Sequence, residues 1–165
     1  MIDSVELIAF LNNNGFTKAV GVPCSYFKQL LIELEKSDKI QYIAATREDE
    51  AVGIACGYYL GRKNAFLIMQ NSGLATIGDA LTSLAQLYKI PLLLFVSYRG
   101  LEPDKTFPEH LLMGDVTEDV LNAYRIPYEI LNEEDWQDTI KRALKEMQTN
   151  NSVVCILVEK GVLDE

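Results

Sequence analysis

The segment Arg47-Glu48-Asp49-Glu50 sets a cation before three consecutive acids, just ahead of a helical pattern. A carboxylate at the start of a tightly packed helix is partly desolvated. Burial of that kind keeps it neutral or poised near neutrality, able to share a proton with a heterocycle nitrogen. An acid in this place also serves the helix dipole or cap, and both readings stand at this level. The tetrapeptide Gln70-Asn71-Ser72-Gly73 gathers two amides, a hydroxyl and a glycine. Asn71 and Ser72 can hydrogen-bond a carbonyl or carboxylate, and Gly73 permits close approach; the alternative is a strand-to-helix turn capped by Ser72. His110 is the only histidine and lies in the irregular stretch from Tyr98 to Gly114. A histidine delivered by a loop can stabilise a carboxylate or shuttle a proton, or simply face solvent. Arg99 and Lys105, in the same stretch, are anion contacts or surface charges.

The elements that must position these residues are short apolar runs alternating with helical periods, the pattern of a parallel sheet covered on both faces. The runs are Ala19 to Val22, Ile40 to Ala45, Ala65 to Met69, Pro91 to Ser97, Ile126 to Ile130 and Val153 to Val158. Most lack period-two alternation, which predicts strands buried on both sides. Asp3 and Glu6 form a capping pair before Val5, Ile8 and Leu11, and Gly15 ends that helix. Further helical stripes comprise Tyr26, Phe27, Leu30, Leu31 and Leu34; Leu74, Ile77, Leu81, Leu84 and Leu87; and Trp136, Ile140, Ala143, Leu144 and Met147. Acids Glu133, Glu134 and Asp135 precede the last stripe, where the helix dipole favours them. The fold class is therefore α/β, a three-layer α/β/α arrangement around a mostly parallel six-stranded sheet. In such sheets ligands bind beyond the carboxyl ends of the strands. Pro23 to Ser25, Thr46 to Glu50, Gln70 to Gly73 and the stretch after the fourth strand should converge there. Small residues Gly53, Ala55, Cys56 and Gly57 predict that the helix after Glu48 is tightly buried or packed against another subunit.

With 165 residues and 48% apolar content, one domain with a substantial core is expected. No apolar run approaches a membrane span, and the start has an early acid and no basic leader, so the expectation is a soluble cytoplasmic protein. The net charge of −9 disfavours nucleic acid and anionic membranes as partners. A small anionic substrate would need a local positive site. The three cysteines, Cys24, Cys56 and Cys155, are widely spaced among apolar residues, which fits reduced buried thiols rather than a disulfide or metal framework.

The stretches GVPCS, REDEAVGIACGYYLGRK, MQNSGLATIGDALTSL, IPLLLFVSYRG and PEHLLMG, in this order and spacing, resemble the pyrimidine-binding domain of the phosphonopyruvate and sulfopyruvate decarboxylase group of thiamine-diphosphate enzymes. The resemblance covers about three quarters of the chain and implies a pyrimidine domain of the thiamine-diphosphate-binding fold. It matches the group's activating glutamate to Glu48, with Ala51 three residues on. That glutamate hydrogen-bonds the cofactor's aminopyrimidine and favours its imino form. The resemblance also implies that Gln70 to Gly73 lie beside aminopyrimidine and substrate, that His110 in Pro-x-His-x-Leu-Met-Gly acts on the substrate, and that Arg99 matches the Arg-Gly after the fourth strand. Where the group commonly has Asn, this chain has Arg47, which either pairs with Glu48 or turns away to hold a sulfonate.

The group's second domain binds the diphosphate through Mg²⁺ with a Gly-Asp-Gly motif and a later Asn. Gly78-Asp79-Ala80 lies inside a helical stripe and Gly114-Asp115-Val116 reads as a helix cap, so neither supplies it. The resemblance then implies a beta subunit carrying the diphosphate half, in a hetero-oligomer that also has contacts between copies of this chain. Separate chains are like the sulfopyruvate members, which implies conversion of sulfopyruvate to sulfoacetaldehyde and carbon dioxide on the way to coenzyme M in methanogens. A phosphonopyruvate decarboxylase subunit and a non-catalytic, flavodoxin-like binding or regulatory subunit are the alternatives.

Overall fold

The computed structural model describes residues 1–101 and 107–164. Six strands, β1 (Phe16–Gly21), β2 (Gln41–Ala44), β3 (Asn64–Gln70), β4 (Leu92–Ser97), β5 (Tyr128–Ile130) and β6 (Val153–Val158), form one sheet in the order β2-β1-β3-β4-β6-β5. Every pairing is parallel, so the sheet is wholly rather than mostly parallel. The helices are α1 (Ser4–Asn13), α2 (Lys28–Lys36), α3 (Glu48–Leu60), the single turn α4 (Gly78–Ala80), α5 (Pro108–Ala123) and α6 (Trp136–Asn150).

Two apolar clusters sandwich the sheet. One joins Leu7 and Leu11 of α1, Leu30 and Leu34 of α2, and Ile140 and Leu144 of α6 to Phe16, Phe66, Phe95 and Ile156. The other joins Ala51, Val52 and Ala55 of α3, Leu81 after α4 and Leu121 of α5 to Val20, Leu67, Met69 and Leu94. With every side chain of β4 and β6 buried, non-alternating runs correctly mark those strands as central. β2 and β5 correct that expectation. They are the edges, and their side chains are half-buried or exposed because only one neighbour covers them.

Asp3 caps α1 by accepting from the Glu6 amide at 2.9 Å, as its spacing predicts. The buried stripe of α1 is Ser4, Leu7, Ile8 and Leu11, however, and Val5 faces outward. The stripe from Leu74 to Leu87 is not one regular helix. A 3₁₀ stretch (Asn71–Ala75) leads into α4, and a π-helical stretch (Leu81–Gln86) follows. The wider π turn moves the apolar face by one position. Ala85 enters the core four residues after Leu81, and Leu87 is left exposed.

The irregular segment after β4 is shorter than the sequence suggests, because α5 begins at Pro108. Proline suits the first helical position, where its missing N–H has no partner to lose. His110 consequently sits on a helix rather than a loop, and Gly114 lies inside α5 rather than capping it. At Gly100, φ is +93°, and an added Cβ would run into the His110 carbonyl and the Gly114 Cα. Gly114 in turn lies against the Gly100 and Arg99 backbone. Two glycines thus let the chain leaving β4 cross α5 at backbone contact.

Candidate active site

β1 leads to β2 on one side and β3 to β4 on the other, which opens a crevice at the carboxyl ends of β1 and β3. All four sequence-nominated segments meet there. The Cys24 thiol lies 3.2 Å from the Ser97 hydroxyl and 4.0 Å from Gln70 Oε1, tying the ends of β1, β3 and β4. Arg99 donates to the Ser25 hydroxyl, and its guanidinium stacks over the Tyr26 ring at 4.3 Å.

The three acids at the start of α3 divide their work. Glu50 accepts from the Thr46 amide at 2.8 Å. Asp49 accepts from the Glu50 amide and takes both forks of the Arg47 guanidinium, at 3.1 and 2.8 Å. Asp49 and Glu50 therefore serve the exposed helix start, and Arg47, 70% exposed, is turned away from Glu48. Glu48 is half-buried and packs against Gly73. A Cβ on Gly73 would stand 2.6 to 2.9 Å from Glu48 Cγ, Cδ and Oε1. Glu48 Oε2 accepts a long bond from Thr76 at 3.3 Å, and among the described residues Oε1 receives none. One carboxylate oxygen is thus held at the crevice with its acceptor capacity unspent.

Gln70 donates to Ser72 at 3.0 Å, and both reach the open edge. Ser72 lies inside the 3₁₀ stretch Asn71–Ala75, whose N-cap position is held by Gln70, rather than capping a helix. Asn71 is fully buried: its Nδ2 donates to the Arg99 carbonyl at 2.9 Å and to Thr117 Oγ1 at 2.8 Å. His110 is partly buried, with its ring edge-on to Phe107 at 5.5 Å and its Nδ1 buried without a hydrogen-bond partner. Arg99 is only 8% exposed, which makes it an interior cation rather than a surface charge. Lys105 lies outside the described residues.

Sequence reasoning missed Thr76, Thr117 and Glu118. Glu118 of α5 accepts from Tyr98 at 2.9 Å and from Tyr128. Burial first, then the Glu118 hydrogen bond, pushes the Tyr98 phenol up; for Tyr128 the Glu118 bond comes first. Thr117 and Glu118 follow His110 by seven and eight residues, a helical spacing legible once Pro108 is taken as the start of α5. All three cysteines are free and buried, and burial raises the Cys56 thiol to about 11 and the Cys155 thiol higher. Among the described residues, no three His, Cys, Asp or Glu side chains are placed to hold a metal, and no helix is long and apolar enough to cross a membrane.

Comparison with known proteins gives a consistent result. Residues 5–118 match a family model described as the thiamine pyrophosphate enzyme, N-terminal TPP binding domain. The sulfopyruvate decarboxylase subunit alpha of Methanocaldococcus jannaschii is 34% identical over 160 residues, covering 96% of this chain and 94% of that protein. Its counterpart in Methanococcus maripaludis is 39% identical over 116 residues, covering 70% and 69%. The phosphonopyruvate decarboxylase of Streptomyces viridochromogenes is 35% identical over 131 residues, 79% of this chain but 33% of that protein. This chain therefore spans about a third of the length of that phosphonopyruvate decarboxylase.

Proposed function

Because the chain belongs to the thiamine pyrophosphate enzymes, through their N-terminal TPP-binding domain, we propose that it is the pyrimidine-binding alpha subunit of a cytoplasmic sulfopyruvate decarboxylase. The reaction is conversion of sulfopyruvate to sulfoacetaldehyde and carbon dioxide, toward coenzyme M, in a hetero-oligomer with a beta subunit that carries the diphosphate-binding half and Mg²⁺. The observation that carries this reading is the alignment over 96% of the chain and 94% of a protein named subunit alpha. The chain as a whole serves as the one pyrimidine-binding domain of that assembly.

The residues present fit thiamine diphosphate. Glu48 offers a half-buried carboxylate with Oε1 unspent, and Gly73 has no Cβ to displace that carboxylate from the crevice. When bound, the cofactor supplies a carbon nucleophile and an electron sink for loss of carbon dioxide. Glu48 holds a proton at the pyrimidine nitrogen. Gln70, Ser72 and Gly73 line the pyrimidine and substrate side, with the Gln70 and Ser72 side chains at the open edge. Asn71 belongs to this loop and holds its shape from within. His110 stabilises the substrate carboxylate and returns a proton after carbon dioxide leaves. Arg99 supplies positive charge to the anionic substrate from the interior and Arg47 supplies it from the rim, with Lys105 as a further anion contact. The outward face of α3, where Gly53 and Gly57 have nothing within 4 Å and Leu60 is 71% exposed, supports contact with another copy of the chain.

A phosphonate substrate is the second reading, favoured by 35% identity to a phosphonopyruvate decarboxylase. The test is carbon dioxide release from sulfopyruvate and from phosphonopyruvate, with thiamine diphosphate and Mg²⁺, by this chain alone and mixed with a candidate beta subunit. Release only in the mixture with sulfopyruvate preferred is the expected result. A phosphonate preference replaces the substrate, and silence in a complex that binds the cofactor overturns the decarboxylase reading.

A further inference from the structure

Three consecutive residues leaving β4 are each fastened to α5. The Tyr98 hydroxyl donates to Glu118, the Arg99 carbonyl accepts from Asn71, which donates in turn to Thr117 of α5, and Gly100 meets the His110 carbonyl and Gly114 by backbone contact. Asn71 is the only one of these residues that also belongs to the loop closing over Glu48, two positions before the Gly73 that packs against it. Its amide orientation follows from its partners: the Arg99 carbonyl can only accept, so Nδ2 must face it. Oδ1 is then left buried with no partner, although the residue is fully buried. An orphaned buried acceptor lowers stability. The two Nδ2 bonds offset that cost only while the Arg99 backbone and Thr117 stay in place, which ties the amide to both.

We propose that Asn71 is a positioning residue that couples the Glu48 side of the crevice to the His110 side, acting through Thr117 and the Arg99 backbone rather than by touching substrate. With both donors spent, its side chain sets where the loop after β3, the cation at the end of β4 and the first turns of α5 stand relative to one another. Thr117 is its partner on α5 and is fully buried too. The Thr117 hydroxyl donates to the Met113 carbonyl one turn back, so its lone pair is directed to Asn71. The coupling rests on the decarboxylase reading for its catalytic meaning, and on the geometry alone for its effect on His110.

His110 is the only histidine in the chain, so its imidazole gives a single reporter signal in a carbon–proton NMR spectrum of the full chain. Asn71→Leu keeps the branched shape and removes both donors. Thr117→Val removes the hydroxyl, whereas Thr117→Ser restores it. The expected result is that N71L and T117V displace the His110 Cε1–H resonance and weaken its NOE to the Phe107 ring, while T117S leaves both as in the wild type. In the assembled enzyme, kcat should fall by about a hundredfold in N71L with KM for the oxoacid little changed, the size of loss that a misplacement of about 1 Å produces. If N71L does not fold, the T117V and T117S pair makes the same test. An unchanged His110 signal in a folded variant overturns the proposal whatever the activity. Absence of carbon dioxide release by the wild-type assembly would instead sink the decarboxylase reading, and a displaced His110 signal would still support the coupling.

Discussion

Glu48 differs from its two acidic neighbours in its surroundings, not its chemistry. Asp49 and Glu50 are occupied by Arg47 and by backbone amides, whereas Glu48 has one oxygen that accepts from none of the described residues. Glu48→Gln preserves the volume and can still accept from Thr76, but removes the titratable carboxyl proton. Carbon dioxide release by the assembled enzyme should fall by about 10²- to 10⁴-fold, the usual worth of a positioned acid–base group. Co-elution with the beta subunit should persist, and turnover at the wild-type level would refute the assignment. Much of this site is legible in the sequence, because in a parallel α/β sheet every strand's carboxyl end lies on one edge and the loops that follow must meet. The orientation of single side chains is not legible. Arg47 has a carboxylate on either hand, at Glu48 and, two residues on, Asp49; only the three-dimensional backbone decides for the second. Asn71 and Ser72 are equally polar in sequence, yet one is fully buried and the other exposed.

At the scale of elements, apolar runs placed all six strands because buried parallel strands are continuous in hydrophobicity. Length and apolar content alone did not separate edge from centre; the mark was finer, a Gln41 in β2 and a Glu129 in β5 where β6 is apolar throughout. The π-helical stretch was not legible either, because an insertion of helical phase leaves no mark in composition. The start of α5 was marked by Pro108, a signal outweighed by the surrounding Gly, Pro and charge. That helix owes its placement to Gly100 and Gly114. Gly100→Ala puts a Cβ into the His110 carbonyl and forces an L residue to φ +93°. The backbone conformation alone should cost on the order of 1–3 kcal/mol, with the clash adding to it. Urea unfolding of the full chain measures it, and a midpoint equal to the wild type would show that the crossing relaxes freely. Gly53→Ala is the contrasting substitution: nothing lies within 4 Å of the new methyl, so the midpoint of the isolated chain should not fall.

For the whole molecule, the covered sheet sets how stability responds to alkali. Cys155 is fully buried in β6 and Cys56 is 1% exposed in α3, and burial raises both thiols above their ordinary range. Tyr98, between burial and Glu118, is raised likewise, as is Tyr128 by Glu118. Each is an acid whose folded form holds its proton more tightly than the unfolded chain does. Below the unfolded values, near 8.5 for thiols and 10 for phenols, both states are protonated and the stabilisation relative to the ionised form is intact. Above them the unfolded chain releases protons that the folded chain keeps, so stability falls as pH rises, by up to about 1.4 kcal/mol per pH unit for a thiol as fully buried as Cys155 and by less for the more exposed phenols. The thiols act first, Cys56 until about pH 11, and the phenols join above pH 10. Cys155→Ala should therefore lower stability somewhat at pH 7.5 through the lost sulfur contacts, yet show a shallower decline between pH 9 and 10.5, by one proton's worth. Tyr98→Phe should leave that interval nearly unchanged and flatten the decline only above pH 10. Urea unfolding across this range separates the two, and parallel curves for wild type and Cys155→Ala would mean that the β6 thiol ionises alike in the folded and unfolded chain.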